Sequence, residues 1–360
     1  MLETLDLSKN RFAGSIPTSL SRLASLQSLS LNQNQLSGNI PVGIGNLAHL
    51  RLLSLANNSL SGEIPPAIGN LAELTVLDLS LNLLTRIPPE LGKLVKLGFA
   101  SLSYNKLSGR LPPEIGECGS QQSGIYFDIS YNRLSGSIPD VFGSGNFFIF
   151  FAYNNLFTGG FPLTLATVGN VDLSHNFLSD LKGVRTLPPV PAISSLNLAN
   201  NLLSGTVPSW LKDLVAGAKG LKTVDISVNK FAGPVPAIFL ENLLNFNASY
   251  NWLTGNLPTV SFSSLEYFDL SHNRISGPIT SKFIGTLLNT TRQLDLSFNQ
   301  LSGPLPANSG DFLSLSYLDL SDNKLTGKVP TSIEKIPLSY LDLSHNTFTG
   351  KVPSIRPPPF

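Results

Sequence analysis

Apolar and polar residues alternate in short stretches along this 360-residue chain, and the stretches recur at a nearly constant interval. The first reads Leu2-Glu3-Thr4-Leu5-Asp6-Leu7-Ser8-Lys9-Asn10, with Leu eight, five and three places before the Asn. Alternation of this kind marks a half-buried β-strand. The Asn returns at Asn34, Asn58, Asn82, Asn105, Asn132, Asn154, Asn176, Asn201, Asn229, Asn251, Asn273, Asn299, Asn323 and Asn346, at spacings of 22 to 28 residues. Fifteen such coils predict a repeat array whose strands stack into one parallel sheet.

The residues after each strand have their own tasks. An Asn side chain both donates and accepts, so it can satisfy backbone groups of its own and a neighbouring coil where the strand turns inward. Gly four places later permits a tight turn. Ile or Val followed by Pro then forms a short extended stretch that ends hydrogen bonding along that edge. Segments such as Pro66-Ala67-Ile68-Gly69-Asn70-Leu71 read as a helical turn with two apolar contacts. The array is expected over residues 1–353, with a Pro-rich tail over 354–360.

Composition narrows the function. Hydrophobic residues make up 42% of the chain and charged residues 13%, so there is ample material for a continuous interior. The 30 Gly and 26 Pro are spread evenly, as turns at regular intervals require. A net charge of +1 argues against a nucleic-acid or anionic-membrane partner selected by bulk charge. Cys118 is the only cysteine, which excludes an internal disulfide. The densest apolar run, Phe147 to Phe151 extended by Ala152 and Tyr153, is far too short to span a membrane. Met1 leads directly into the first repeat, and no signal peptide is expected there.

The pattern Leu-Asp-Leu-Ser-x-Asn-x-Leu-Ser/Thr-Gly-x-Ile/Val/Leu-Pro, seen at Leu318 to Pro330 and Leu341 to Pro353, resembles the plant-specific class of leucine-rich repeats. The resemblance covers nearly the whole chain. It implies an α/β repeat fold: a right-handed solenoid with a concave parallel β-sheet and a second short β-sheet of plant type. It also implies the sensing ectodomain of a plant receptor-like kinase or receptor-like protein, displayed at the cell surface. The expected partners are a peptide or protein ligand and a co-receptor that itself carries leucine-rich repeats. The cysteine-paired caps common in that class are missing, and no kinase signature is present. Alternatives are a soluble inhibitor of the polygalacturonase-inhibitor type and a truncated intracellular scaffold.

No catalytic residue, metal site or cofactor is expected. His175, His272 and His345 share one repeat position on separate coils, so they cannot converge on one centre. The residues six, four, two and one places before each Asn are expected to face solvent. The four-before position carries Asp6, Asp78, Asp128, Asp172, Asp225, Asp269, Asp295, Asp319 and Asp342. This stripe reads either as an attractor for a basic peptide or as a local cap for the donors at the strand turn. The one-before position is rich in rings: Tyr104, Tyr131, Tyr153, His175, Tyr250, His272, Phe298 and His345.

The irregular coils are the informative ones. Around Asn154 the coil gains one residue before Gly159. There Ile149 and Phe151 take the buried positions, leaving Phe148 and Phe150 on the solvent face. Tyr126 and Tyr131 should flank them on one side and His175 on the other. The expected ligand patch is therefore Tyr104, Tyr126, Asp128, Tyr131, Phe148, Phe150, Tyr153, Asp172 and His175. A register shift that buries both Phe is the competing reading. Gly116–Gly124 is expected as a surface loop replacing the helical turn, the second sheet as interrupted after Asn176, and Trp210–Val215 as a helix. Sequons at Asn57, Asn247 and Asn289 are expected glycosylation sites of an extracellular protein, and a glycan on Asn247 would block the concave face.

Overall fold

A computed structural model of the chain describes residues 2–122, 124–142, 147–180, 192–209, 211, 220–235, 243–260, 264–287, 290–309 and 314–354. Contacts divide the chain into two compact units, Met1–Ile193 and Ser194–Phe360. In the first, eight strands from Thr4–Asp6 to Asn170–Asp172 follow one another in chain order as a parallel sheet. In the second, seven strands from Ser195–Asn197 to Tyr340–Asp342 do the same. Each strand is one coil of a right-handed leucine-rich repeat solenoid. Coils 1 to 8 lie in the first unit and 9 to 15 in the second. Of the expected tail only Ser354 is described, and Trp210–Val215 lies outside the described residues except for Leu211.

The strands exist because each gives its central side chain to the interior. Leu29, Leu53 and Leu77 are fully buried, as are their register partners further along, Ala100 and Phe127. Burying each of the leucines contributes about 1.5–3 kcal/mol.

The Asn at the strand's end locks coil to coil. Asn132 donates through Nδ2 to Leu102 O of the preceding coil at 3.0 Å and to its own Ile129 O at 3.1 Å. Its Oδ1 accepts from Leu107 N at 2.9 Å. Asn323 repeats this with Leu296, Leu320 and Leu301. Both amides are buried, so the carbonyls they satisfy have no water to fall back on.

Turning inward at the Asn requires a left-handed backbone one residue earlier. Among the described residues fifteen non-glycine residues have positive φ, from Lys9 at 55° to His345 at 52°, and each immediately precedes a ladder Asn. Even β-branched Val228 sits at 53°. In that conformation the amide reaches the next coil, as when Tyr104 N donates to Ser130 O at 3.0 Å. The conformation costs on the order of 1–2 kcal/mol for an ordinary residue.

The Gly-x-Ile-Pro segments form the second, short sheets. The first unit has two of four strands each, from Ala13–Ser15 to Leu83–Leu84 and from Ser108–Gly109 to Phe177–Asp180. The break falls after coil 4, where Leu83-Leu84-Thr85-Arg86-Ile87 lacks the glycine. The second unit has one of three strands and one of four. The interruption expected after Asn176 falls beyond Asp180, on residues 181–191, outside the described residues. The opposite side is closed by 3-10 turns such as Pro66–Asn70 and Pro89–Lys93. These stack so closely that a Cβ on Gly69 would collide with Glu90 O.

The structure corrects three expectations. First, the ladder residue of coil 7 is Asn155. It donates to Ile129 O at 3.0 Å and Ala152 O at 3.2 Å, while Asn154 takes the left-handed position before it. Coil 7 therefore has no extra residue before Gly159, which stands four places after Asn155 as in other coils. Second, this shifts every side chain of the strand, and Phe150 is fully buried. It packs with Phe142, Phe147 and Phe127 at centroid distances of 4.7, 6.4 and 6.2 Å. Third, the turn expected to be lost near Gly116 is kept: Pro113–Glu117 is a 3-10 helix with Ile115 buried. Cys118 fills the interior position that Leu94 fills one coil earlier, and its thiol donates to Leu91 O at 3.2 Å. Burial pushes that thiol's pKa up to about 12.

Candidate recognition site

The sheet face of coils 5 to 7, all in the first unit, carries an unbroken path of aromatic rings. Phe99 stacks on Tyr126 at 4.9 Å and 10°. Tyr126 meets Phe151 edge-on at 5.8 Å, and Phe151 meets Tyr153 at 6.2 Å. Tyr153 touches Tyr131 at 5.3 Å, and Tyr131 stacks on Tyr104 at 4.1 Å. The path crosses the sheet from the position six before the ladder Asn, at Phe99, to the position one before it, at Tyr104. Phe127, Phe142, Phe147 and Phe150 lie in the interior beneath, so coil 7 puts rings on both faces of one strand.

The local fold explains the array. Strands about 4.8 Å apart put equivalent side chains in stacking register. The left-handed backbone at Tyr104 and Tyr131 fixes both rings at the corner. Tyr104 and Tyr131 are 46% and 40% exposed, while Phe99, Tyr126, Phe151 and Tyr153 are half-buried against one another. The Tyr104 phenol is raised in pKa first by the Tyr131 hydroxyl, and Tyr126 first by burial and then by Asp128. These phenols are neutral donors at any ordinary pH. A shallow depression bordered by Leu81, Leu83, Tyr104, Tyr131 and Asn154 continues the surface at the corner.

The predicted residues do not all join this array. Tyr104, Tyr126, Tyr131 and Tyr153 do, although Tyr153 stands two places before its ladder Asn rather than one. Phe150 does not, being in the core. Phe148 is 53% exposed, but as the bulged residue of its strand: Ile125 pairs with Phe147 and Tyr126 with Ile149, and Phe148 is skipped. It projects between Gly124 and Gly169, and its ring covers Gly169, where a Cβ would lie 3.0 Å from Phe148 Cδ2. Among the described residues Phe148 makes no ring contact with Tyr126, Tyr131 or His175. His175 is exposed in the corner column, with Asn154 between it and Tyr131.

Asp128 and Asp172 serve the turn. Their Oδ1 atoms accept from Ser130 N and Ser174 N, both at 2.9 Å, and Asp128 is only 9% exposed. The same bond recurs at Asp6, Asp225, Asp295 and Asp342. The capping reading of the acidic stripe thus has a geometric basis in both units. Sequence reasoning missed Phe99 and Phe151. Phe99 stands at the solvent-facing offset six before Asn105, and Phe151 at the offset four before Asn155 once coil 7 is counted from that residue, a count that Gly159 gives.

The sequons differ in what their side chains do. Asn57 is exposed at the corner. Asn247 lies on the sheet face of the second unit, but its amide is engaged: Nδ2 donates to Asp225 Oδ2 at 3.2 Å, and Oδ1 accepts from Ser249 N at 3.0 Å. Asn289 lies outside the described residues. No described helix is long and apolar enough to cross a membrane.

Leucine-rich repeat family models match residues 1–60 and, separately, 73–94, 125–144, 192–214, 264–285, 290–312, 314–336 and 337–355. Together they cover more than half of the chain. The chain belongs to the leucine-rich repeat family. Among curated relatives, this leucine-rich repeat chain is 34% identical over 109 residues to Receptor-like protein 18 of Arabidopsis thaliana, a stretch covering 30% of this chain and 13% of that protein. Among solved structures it is similar to a TDR receptor, with TM-score 0.74 and 29% identity over 97% of this chain and 65% of that one. The plant peptide hormone receptor RGFR1 in complex with RGF2 matches with TM-score 0.62 and 29% identity, over 98% and 64%. A leucine-rich repeat protein of Leptospira interrogans matches with TM-score 0.75 and 29% identity, over 96% and 84%. The scaffold is thus shared widely, while the sequence relatives are plant receptor-like proteins.

Proposed function

We propose that this leucine-rich repeat chain is the ligand-sensing part of a plant receptor-like protein, and that it binds a peptide or protein segment on the sheet face of coils 5 to 8. The observation that carries this reading is the ring path Phe99–Tyr126–Phe151–Tyr153–Tyr131–Tyr104. Aromatic side chains held rigid by their neighbours give large contact area at little entropic cost, and such residues dominate binding energy at interfaces. The similarity to a peptide hormone receptor solved with its ligand supports a peptide as the ligand class. Catalysis is not part of the reading; the chain recognises, and a partner or a further domain transmits. The setting that fits is the outer face of the plasma membrane, with a second leucine-rich repeat protein as co-receptor.

The test is selection from a random linear peptide library displayed on phage, panned on the whole chain. Enriched peptides should lose about tenfold or more in affinity for a Tyr126→Ser/Phe151→Ser double variant. Equal enrichment on wild type and variant would remove the ring path from the reading.

A further inference from the structure

The second unit carries an exposed aromatic strip at the corner of coils 9 to 13. Flanking the ladder Asn of successive coils, Leu202, Val228, Tyr250, Trp252 and Phe298 are 42%, 45%, 53%, 46% and 47% exposed. His272 fills the remaining coil. It stacks on Tyr250 at 3.9 Å and on Phe298 at 4.1 Å, so the three rings form one column. Scattered apolar residues on a surface need no explanation, but a run of them at one corner of successive coils does. All three column rings sit on left-handed backbone, where glycine would be relaxed and where instead a large side chain is held in place.

The strip is bordered by cations. Lys230 in coil 10 and Arg274 in coil 12 follow the ladder Asn and are exposed. The Arg274 guanidinium lies 5.6 Å from the Trp252 ring centroid, which orients it while leaving its outer donors open. Among the described residues neither Lys230 nor Arg274 takes part in an ion pair. No carboxylate stands next to a ladder Asn from coil 9 to coil 13; the first is Asp322 in coil 14.

We propose that this strip binds an extended acidic polypeptide with carboxylates three residues apart and apolar residues between them. Beside the ladder Asn the positive charge comes from Lys230 and Arg274, while the carboxylates of Asp269, Asp322 and Asp319 also act on His272. The spacing follows from the coils: the two cations are two coils apart, about 10 Å. A polyproline-II segment presents the same face every three residues, about 9 Å. The ring column favours a polypeptide over a sugar chain, because stacking closes both faces of His272 and one face each of Tyr250 and Phe298. Along its length the column exposes mainly ring edges, which suit aliphatic side chains and carbonyl oxygens.

The probe is a synthetic peptide of four Glu-Pro-Leu repeats, titrated by fluorescence anisotropy against the full chain at low salt. Binding should weaken about tenfold with Trp252→Ala and again with Arg274→Glu, and should fall as salt rises. Circular dichroism melts should show both variants folded, and Tyr126→Ser/Phe151→Ser in the first unit should bind the peptide as wild type does. No binding at low salt overturns the proposal. So does equal affinity for a peptide of the same composition with its Glu, Pro and Leu in blocks, which would mean bulk charge alone. Unchanged affinity in both strip variants, loss of affinity in the first-unit variant, or tighter binding of polygalacturonate each overturns it as well.

Discussion

The sheet faces of coils 5 to 8 and of coils 12 to 15 are built on the same repeat positions and carry opposite chemistry. In the first unit the four-before column reads Ser101, Asp128, Phe151, Asp172; in the second it reads Asp269, Asp295, Asp319, Asp342. Phe151 separates the two carboxylates of the first set and links the aromatic path. In the second set four carboxylates stand on consecutive strands, about 4.8 Å between neighbours. Burial first, and the neighbouring Asp269 and Asp319 after it, push Asp295 up to about 6. Asp269 is raised as well, first by burial. The backbone task of the Asp is the same in both sets, since each accepts from the amide two residues on. The difference shows that this scaffold tolerates a row of like charges when each has a local hydrogen bond, and that one aromatic residue in the row, Phe151, joins the rings of neighbouring columns into a path.

The sharpest test of this comparison is within coil 7. Phe150→Ala should destabilise the chain by about 3–5 kcal/mol, as a large core deletion does, whereas Phe148→Ala should change stability by less than about 0.5 kcal/mol. Urea denaturation of the two variants decides it; equal effects would restore the register that faces Phe150 to solvent. Next in size, Asn132→Ala and Asn299→Ala should each cost roughly 2–4 kcal/mol by stranding buried carbonyls and an amide. Hydrogen exchange read coil by coil should show the loss centred on the mutated coil in either unit, and a silent Asn299→Ala would mean that the two units are not held by the same ladder.

A smaller effect separates the faces by pH. Asp295 has a folded-state pKa of about 6, above its ordinary value of 3.8. The stability it contributes is therefore fully present below about pH 4 and is lost as pH rises through 6. The second unit should gain on the order of 1 kcal/mol from this group between pH 7.5 and 4, once solvent screening is allowed for. Asp295→Asn should flatten that slope, because Asn already does the same capping at Asn197 and Asn247. Thermal melts from pH 4 to 7.5 measure it, and a wild-type slope kept by the variant would place the effect elsewhere. Smallest of all, Asn57→Gln should leave stability within about 0.5 kcal/mol of wild type while Asn247→Ala costs about 1 kcal/mol, by differential scanning calorimetry.

How much of this could be read from residues alone follows from which signals are periodic. The strands, the ladder Asn and the capping Asp each recur with fixed neighbours, and their physical roles follow from their chemistry. The register of coil 7 was hidden because Phe147 to Phe151 is apolar throughout, so alternation carries no information there. The tandem Asn154-Asn155 removed the second landmark. The left-handed position was hidden for a different reason: among the described residues it is occupied by Lys, Gln, Asn, Leu, Tyr, His, Val, Phe or Asp and never by the glycine that marks such backbone elsewhere. The coil-to-coil amide bonds and the ring stacks Tyr104–Tyr131 and Tyr250–His272–Phe298 show what that position does.

The reach of each ladder Asn has a consequence for how such a chain changes over generations. Asn132 bonds only to its own coil and the one before it, through Leu102, Leu107 and Ile129. Excising or duplicating one complete coil would leave each surviving amide facing a chemically equivalent neighbour. Length is then a heritable variable independent of interior design, and a lineage can lengthen or shorten its row of corner side chains by whole-repeat recombination without having to solve the folding problem again.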